Sequence, residues 1–215
     1  DYLSSSSQPG PDAPTEMDYW GRLRSIFLQI ARALNALHRA HVLHLDLKPS
    51  NILVEGGGRA VVLDFGLARP AALALRPWVV GREGLVGTPA YMAPEQGRGV
   101  VPEESADWYA FGSTLFEALT GELPFTASTP MALLVQKGAE PAPHPARLRP
   151  GVPPDLDQLC ADLLDPEPRA RPRGIEILRR LAASESLASL PPVAGSSLEP
   201  GEAPLVGREE ELERL

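Results

Sequence analysis

Residues 44–51 read His-Leu-Asp-Leu-Lys-Pro-Ser-Asn, and this stretch decides which fold the chain can adopt. It places an acid, Asp46, a lysine, Lys48, and an amide, Asn51, at fixed offsets in a polar segment between two short apolar runs. Such a segment is typical of a loop that joins two short strands. Further along the chain, Asp64-Phe65-Gly66 again directly follows an apolar run.

These residue types together indicate a particular chemistry. A carboxylate that orients a hydroxyl, a cation that faces a phosphate and oxygen ligands for Mg²⁺ are the groups that phosphoryl transfer requires. Such a reaction asks for little covalent chemistry from the protein, so positioning and charge neutralisation dominate. Either acid alone would be read as a solvated or capping loop carboxylate. The hypothesis depends on the joint spacing and order of all these residues.

Three later motifs follow in an order that a known family shares. Residues 87–95 read Gly-Thr-Pro-Ala-Tyr-Met-Ala-Pro-Glu, residues 107–112 read Asp-Trp-Tyr-Ala-Phe-Gly, and Arg171 stands alone near the end of the patterned region. Over roughly residues 18–183 the chain resembles the C-terminal lobe of a eukaryotic-like serine/threonine protein kinase of bacterial type. The resemblance implies a protein-kinase-like fold, mainly α with short β-hairpins, of which only the large lobe is present.

The resemblance also implies a role for each matching residue. Asp46 would be the catalytic base, and Lys48 would neutralise the γ-phosphate of ATP. Asn51 and Asp64 would hold Mg²⁺, so that ATP and Mg²⁺ are the expected cofactors. Thr88 would hydrogen-bond toward Asp46 and Lys48 and shape the site for the acceptor residue of a protein substrate.

Supporting roles follow for residues outside the reacting centre. Asp107 would brace the catalytic loop through its backbone, and Arg171 would pair with Glu95. His44 is expected to be a packed loop histidine. The spacing of His38, His41 and His44 could also suggest a metal site, but no acidic or cysteine partner has ligand spacing.

The pattern divides the chain into four parts. Residues 1–17 are expected to be a hinge remnant and loop, and residues 18–183 the kinase lobe, with a catalytic loop at 44–51 and an activation segment at 64–95. Residues 184–204 are rich in Ser, Pro, Gly and Ala and predict a flexible linker. Residues 205–215 resemble the start of an AAA/STAND-type ATPase domain, although a plain acidic helix is the simpler alternative.

The hydrophobic spacing also predicts the secondary structure of the kinase lobe. Helices are expected at residues 18–41, 105–119, 131–136, 154–164 and 172–183, with Pro154 and Pro172 in first turns. Short strands are expected at residues 42–43, 52–54 and 60–63.

Two departures from the family pattern concern phosphorylation. Leu45 stands where many kinases have an arginine that pairs with a phosphorylated activation segment. Between Asp64 and Glu95 the only hydroxyl-bearing residues are Thr88 and Tyr91, both in the terminal motif. The phosphate-binding arginine and the usual upstream phosphorylation site are thus both missing. We therefore expect activity that does not depend on activation-segment phosphorylation.

A third departure concerns the small lobe. Of the 20 basic residues only Lys48 and Lys137 are lysine, and neither precedes the catalytic loop. No Gly-rich loop precedes it either. Because the chain begins at Asp1 and ends in a charged pattern, we expect a fragment that continues into further domains. On its own it would bind ATP weakly and transfer phosphate negligibly.

The composition of the chain limits its possible binding partners and its cellular setting. The net charge of −8 argues against a nucleic-acid partner, and a single cysteine, Cys160, indicates a reducing, cytoplasmic setting. No apolar run approaches the length of a membrane span.

The leading hypothesis is transfer of the ATP γ-phosphate to serine or threonine of a protein in signal transduction. The alternatives are a pseudokinase or truncated scaffolding module, and, less favoured, a small-molecule phosphotransferase.

Overall fold

The computed structural model describes residues 16–64, 69–70 and 88–183. Four predicted segments therefore lie wholly or mostly outside the described residues: the hinge remnant and loop, the central part of the activation segment, the linker and the start of an ATPase domain. Within the described part no helix is long and apolar enough to cross a membrane.

Helix α1, Glu16–Arg39, is the first element. Its buried positions include Leu23, Phe27, Ile30 and Leu34, which recur at the helical spacing that the sequence predicts. The helix ends slightly before the predicted residue 41, because His41 adopts a left-handed backbone conformation with φ of 58°.

In the part of the chain that the structure describes, four short strands form two antiparallel pairs. Strand β2, Ile52–Val54, pairs with β3, Ala60–Val62, and confirms the predicted hairpin. Strand β1, Val42–Leu43, pairs with β4, Arg69–Pro70, which the sequence does not predict. The amide of Gln29 on α1 fixes the hairpin to the helix. Its Nε2 donates to the carbonyl of Gly58, and its Oε1 accepts from the backbone N–H of Ala60, at 2.9 and 3.0 Å.

Helix α3, Glu104–Thr120, is the buried centre of the described part of the chain. Trp108 and Phe111 make edge-to-face ring contacts with one another, and Phe111 makes a further one with Phe27 of α1. Gly112 allows the close approach of the next layer, since a Cβ there would lie 2.7 Å from the Cβ of Leu163. The helix ends at Gly121, whose φ of 81° is left-handed.

The other described helices are shorter than α1 and α3. They are α2, Pro94–Gly97, α4, Pro130–Ala139, α5, Pro145–Leu148, α6, Pro154–Leu163, and α7, Gly174–Ala182. The placement of Pro172 in a first turn is wrong, because α7 begins at Gly174. A Cβ on Gly174 would meet Asn35 Oδ1 at 2.7 Å, so a glycine fits where α7 starts against α1. The described part is mainly helical with short strands, consistent with a kinase-like fold.

Candidate active site

The candidate site is built on residues 44–51, the loop between β1 and β2. Helix α3 fixes the start of this loop through Asp107, which is buried. Its Oδ2 accepts hydrogen bonds from the backbone N–H of His44 at 2.9 Å and from the His38 ring at 2.8 Å. Its Oδ1 accepts from the backbone N–H of Leu45 at 2.7 Å. The bracing of the loop by Asp107 that the resemblance implies is therefore present in the structure.

Three polar side chains meet at the centre of the site. Lys48 Nζ donates to Asp46 Oδ2 at 2.7 Å and to Thr88 Oγ1 at 2.9 Å. The Thr88 hydroxyl in turn lies 3.3 Å from Asp46 Oδ1, to which it donates. The Asp46 side chain is 13% exposed and that of Lys48 is 23% exposed, so both can still be reached from solvent. Charge-assisted hydrogen bonds of this kind hold the carboxylate in one orientation.

Asn51 also binds Asp46. Its Nδ2 donates to the backbone carbonyl of Asp46 at 2.8 Å and to Asp46 Oδ2 at 3.2 Å. Because the amide nitrogen is used in this way, Oδ1 is the atom of Asn51 that can ligate a cation. The Asn51 carbonyl accepts from the backbone N–H of Leu63 at 2.8 Å, which brings Asp64 to the same end of the hairpin. Asp64 has φ of 59°, a conformation that aspartate tolerates better than most residues.

The structure thus brings Asp46, Lys48, Asn51 and Thr88 into one hydrogen-bonded group and places Asp64 at the adjoining hairpin end. Phe65 and Gly66 of the second motif lie outside the described residues. The donor set fits Mg²⁺, which prefers carboxylate and amide oxygens and keeps several waters.

Residues 88–92, at the end of the predicted activation segment, form a turn. The Thr88 carbonyl accepts from the backbone N–H groups of Tyr91 at 3.0 Å and Met92 at 3.3 Å. The Tyr91 hydroxyl donates to Glu117 on α3 at 2.6 Å. Burial, together with the adjacent Glu117 carboxylate, raises the pKa of Tyr91 well above its usual value. This turn holds Thr88 beside the loop at residues 44–51.

A buried ion pair anchors the segment that follows the turn. Arg171 donates from its two terminal nitrogens to Glu95 Oε1 at 2.6 Å and Oε2 at 2.8 Å, as the resemblance implies. Its remaining donors reach the carbonyls of Asp165, Ser105 and Pro166. The guanidinium also lies 4.8 Å from the centre of the Tyr109 ring.

The histidines have separate environments. His44 is fully buried in the loop, as expected. His38 binds Asp107 from α1, whereas His41 is exposed at the end of that helix. The part of the chain that the structure describes contains no group of three or more His, Cys, Asp or Glu side chains that could hold a metal ion.

Sequence reasoning missed two residues that support the site. The sequence singled out His38 only through its spacing from His41 and His44, and not as a partner of Asp107. Lys137 is buried against the turn at 88–92, and its only signal in the sequence is the rarity of lysine.

Comparison with known proteins defines the class to which this fold and site belong. Residues 15–181 match the protein kinase domain family, and the chain belongs to that family.

Bacterial serine/threonine-protein kinases are among its relatives. The chain is 41% identical over 165 residues to the serine/threonine-protein kinase PknD of Mycobacterium tuberculosis, which covers 76% of the chain and 24% of that protein. It is 38% identical over 136 residues to the probable serine/threonine-protein kinase PknB of Bifidobacterium longum, covering 63% and 20% respectively. It is 35% identical over 179 residues to the DNA damage-responsive serine/threonine-protein kinase RqkA of Deinococcus radiodurans, covering 81% and 25%. By family the chain is a serine/threonine protein kinase domain, and it spans about a quarter of the length of these relatives.

Proposed function

We propose that the protein transfers the γ-phosphate of ATP to serine or threonine of a protein substrate in signal transduction. The observation that carries the proposal is the orientation of one carboxylate. Asp46 receives hydrogen bonds from Lys48, Thr88 and Asn51 and yet remains partly exposed. A carboxylate fixed in this way can accept the proton of a hydroxyl that is presented to it.

Each residue of the group has a distinct task in this proposal. Asp46 orients the acceptor hydroxyl and takes its proton. Lys48 is placed to neutralise charge on the transferred group, because its ammonium lies 2.7 Å from the same carboxylate. Asn51 and Asp64 would hold Mg²⁺, which supplies charge neutralisation at the phosphates of ATP. Thr88 orients the Asp46–Lys48 pair and borders the position of the acceptor residue.

We further propose that residues 18–183 form the large lobe of the kinase and that the ATP α- and β-phosphates are held from outside this lobe. This proposal is supported by the contacts of the two lysines of the chain, both of which already bind other groups. Lys48 binds Asp46 and Thr88, and Lys137 is buried against backbone carbonyls. Neither is therefore placed to hold those phosphates. Residues 1–215 alone would then bind ATP weakly and transfer phosphate negligibly.

The organisation and location of the protein are also proposals. Residues 1–17 would be the hinge and a loop, residues 184–204 a linker, and residues 205–215 the start of an ATPase domain. A cytoplasmic kinase with a covalently attached signalling domain is consistent with this arrangement.

The proposal includes independence from phosphorylation of the activation segment. Leu45, in the position of the phosphate-binding arginine, is 7% exposed and carries no charge. Thr88 is engaged with Lys48 and Asp46, so a phosphate on its hydroxyl would stand against a carboxylate. Mass spectrometry of the active full-length protein should find Thr88 unmodified. A requirement for phosphate on Thr88 would contradict this part of the proposal.

The experiment that tests the function uses the full-length protein with radiolabelled ATP, Mg²⁺ and dephosphorylated casein as the acceptor. We expect label on serine and threonine, and loss of that label when Mg²⁺ is chelated or when Asp64 is changed to Asn. A pseudokinase or scaffolding module would give no Mg²⁺-dependent transfer to any protein. A small-molecule phosphotransferase would leave casein unlabelled, while still hydrolysing ATP or transferring its γ-phosphate to a small molecule.

A further inference from the structure

Lys137 of α4 is a buried lysine with an unusual set of partners. The residue has no exposed surface, and its Nζ donates to the carbonyl oxygens of Pro89 at 2.8 Å, Ala90 at 2.7 Å and Met92 at 2.9 Å. Among the described residues no carboxylate lies within ion-pair distance of this ammonium. A lysine ammonium has three donors and no acceptor, so each of its donors meets one carbonyl.

Burying an ammonium without a negatively charged partner costs free energy even when its hydrogen bonds are satisfied. The presence of Lys137 at this position therefore requires a specific structural role. An aliphatic side chain such as methionine would fill similar space on α4 without that cost. What methionine cannot do is bind three carbonyl groups that point to one place. The three carbonyls belong to the turn at residues 88–92, and they converge on Nζ.

The same turn positions Thr88. Its backbone carbonyl accepts from the N–H groups of Tyr91 and Met92, while its hydroxyl contacts Lys48 and Asp46. Lys137 therefore holds the side of the turn that faces α4, and the first residue of this turn contacts the candidate catalytic base. Asn51 and Asp64, the candidate Mg²⁺ ligands, lie at the hairpin, where the Asn51 amide donates to the Asp46 carbonyl and the Asn51 carbonyl accepts from the backbone N–H of Leu63.

We infer that Lys137 is a positioning residue that fixes the turn at 88–92 and thereby sets the affinity of the kinase for its protein substrate. The inference rests on the proposed function, since it takes Asp46 as the position of the acceptor hydroxyl. A polypeptide that presents a hydroxyl to Asp46 must run beside this turn. Thr88 keeps its own hydrogen bonds to Lys48 and Asp46, so displacement of residues 89–92 weakens binding of the protein substrate rather than binding of ATP.

The protonation of Lys137 supplies a second readout. Burial lowers its pKa from 10.5 to about 7. The facing group is the ring of Tyr109, whose centre lies 5.3 Å from Nζ, and the same ring contacts the Arg171 guanidinium of the Glu95–Arg171 ion pair. Burial raises the pKa of Tyr109 above its usual range, so Tyr109 stays neutral through this range. A neutral amine has only two donors, so one of the three carbonyls loses its partner above that pH.

The test measures KM and kcat of the full-length protein with dephosphorylated casein and ATP. In Lys137→Met we expect KM for casein to rise about tenfold, with KM for ATP unchanged and kcat within about threefold of wild type. Leu133→Met, a buried substitution on the same helix, is the matched control and should change neither KM. Wild-type KM for casein should rise between about pH 6.5 and pH 9, and this rise should be absent in Lys137→Met.

The outcomes separate this inference from the proposed function. If the wild-type protein transfers no phosphate to casein, the proposed function fails and the inference fails with it. If wild type is active and folded Lys137→Met has an unchanged KM for casein, only the inference is overturned. A rise of both KM values by the same factor, together with a similar fall in kcat, would show a merely structural role and would overturn the inference too. If Lys137→Met does not fold, a wild-type KM for casein that is constant with pH overturns the inference.

Discussion

The carboxylate of Asp107 accepts a 2.7 Å hydrogen bond from the backbone N–H of Leu45, a non-glycine residue held at φ of 63°. A left-handed conformation at such a residue costs on the order of 1–3 kcal/mol and persists only where surrounding contacts hold it. The Leu45 side chain is buried and its neighbour His44 is held by the same carboxylate. This conformation places Asp46 beside Lys48, so helix α3 contributes to the geometry of the candidate base.

Asp107→Asn should therefore destabilise the protein and slow phosphate transfer. The amide offers one acceptor oxygen where the carboxylate offers two, and its NH₂ would face a buried N–H or the His38 ring. We expect the free energy of unfolding to fall by about 1–3 kcal/mol, measured by urea denaturation.

Glu104→Gln is the matched control, since Glu104 begins the same helix but its side chain is 61% exposed. This substitution should change the free energy of unfolding by less than about 0.5 kcal/mol. Equal effects of the two substitutions would show that the Asp107 contacts do not hold the loop.

Arg171→Met should be strongly destabilising because it leaves Glu95 buried without its partner. Removing one member of a buried ion pair typically costs about 3–5 kcal/mol. The double variant Glu95→Gln/Arg171→Met should recover part of this loss, as measured by denaturant unfolding. Arg173→Met, which removes an exposed arginine nearby, is the control and should be nearly neutral. A double variant that is less stable than Arg171→Met would contradict the interpretation that the unpaired carboxylate causes the loss.

Lys137 should make stability depend on pH in a defined direction. Its folded-state pKa of about 7 lies below the unfolded value of 10.5. Between these values the unfolded chain holds a proton that the folded chain has released, so stability rises with pH across that window. Below pH 7 the full cost of burying the ammonium is present. The difference in free energy of unfolding between wild type and Lys137→Met should therefore shift in favour of wild type from pH 7 to pH 9.5. A difference that is constant with pH would show that Lys137 does not titrate in this window.

The centre of the site could be predicted because its residues are local in sequence. Asp46, Lys48 and Asn51 lie in one loop, so their spacing alone places them together. The contact of Thr88 with Asp46 joins residues far apart in the chain, and only the resemblance suggested it.

Other features depend on tertiary packing that no local pattern encodes. Strand β1 has two residues, too few for a period, so its pairing with Arg69–Pro70 was not predicted. Helices α2 and α5 have four residues each and give no helical periodicity. Lys137 occupies a helix position that is typical of an exposed lysine, and only the packing of α4 against the turn buries it.

The most direct test of the account compares Asp46→Asn with wild type in the full-length protein, using radiolabelled ATP and dephosphorylated casein. Asparagine keeps the size of the side chain and removes the proton acceptor, so the fold should persist, as circular dichroism can verify. We predict that the rate of phosphate transfer to serine and threonine falls by at least about 100-fold. A folded Asp46→Asn protein that transfers phosphate at the wild-type rate would contradict the account.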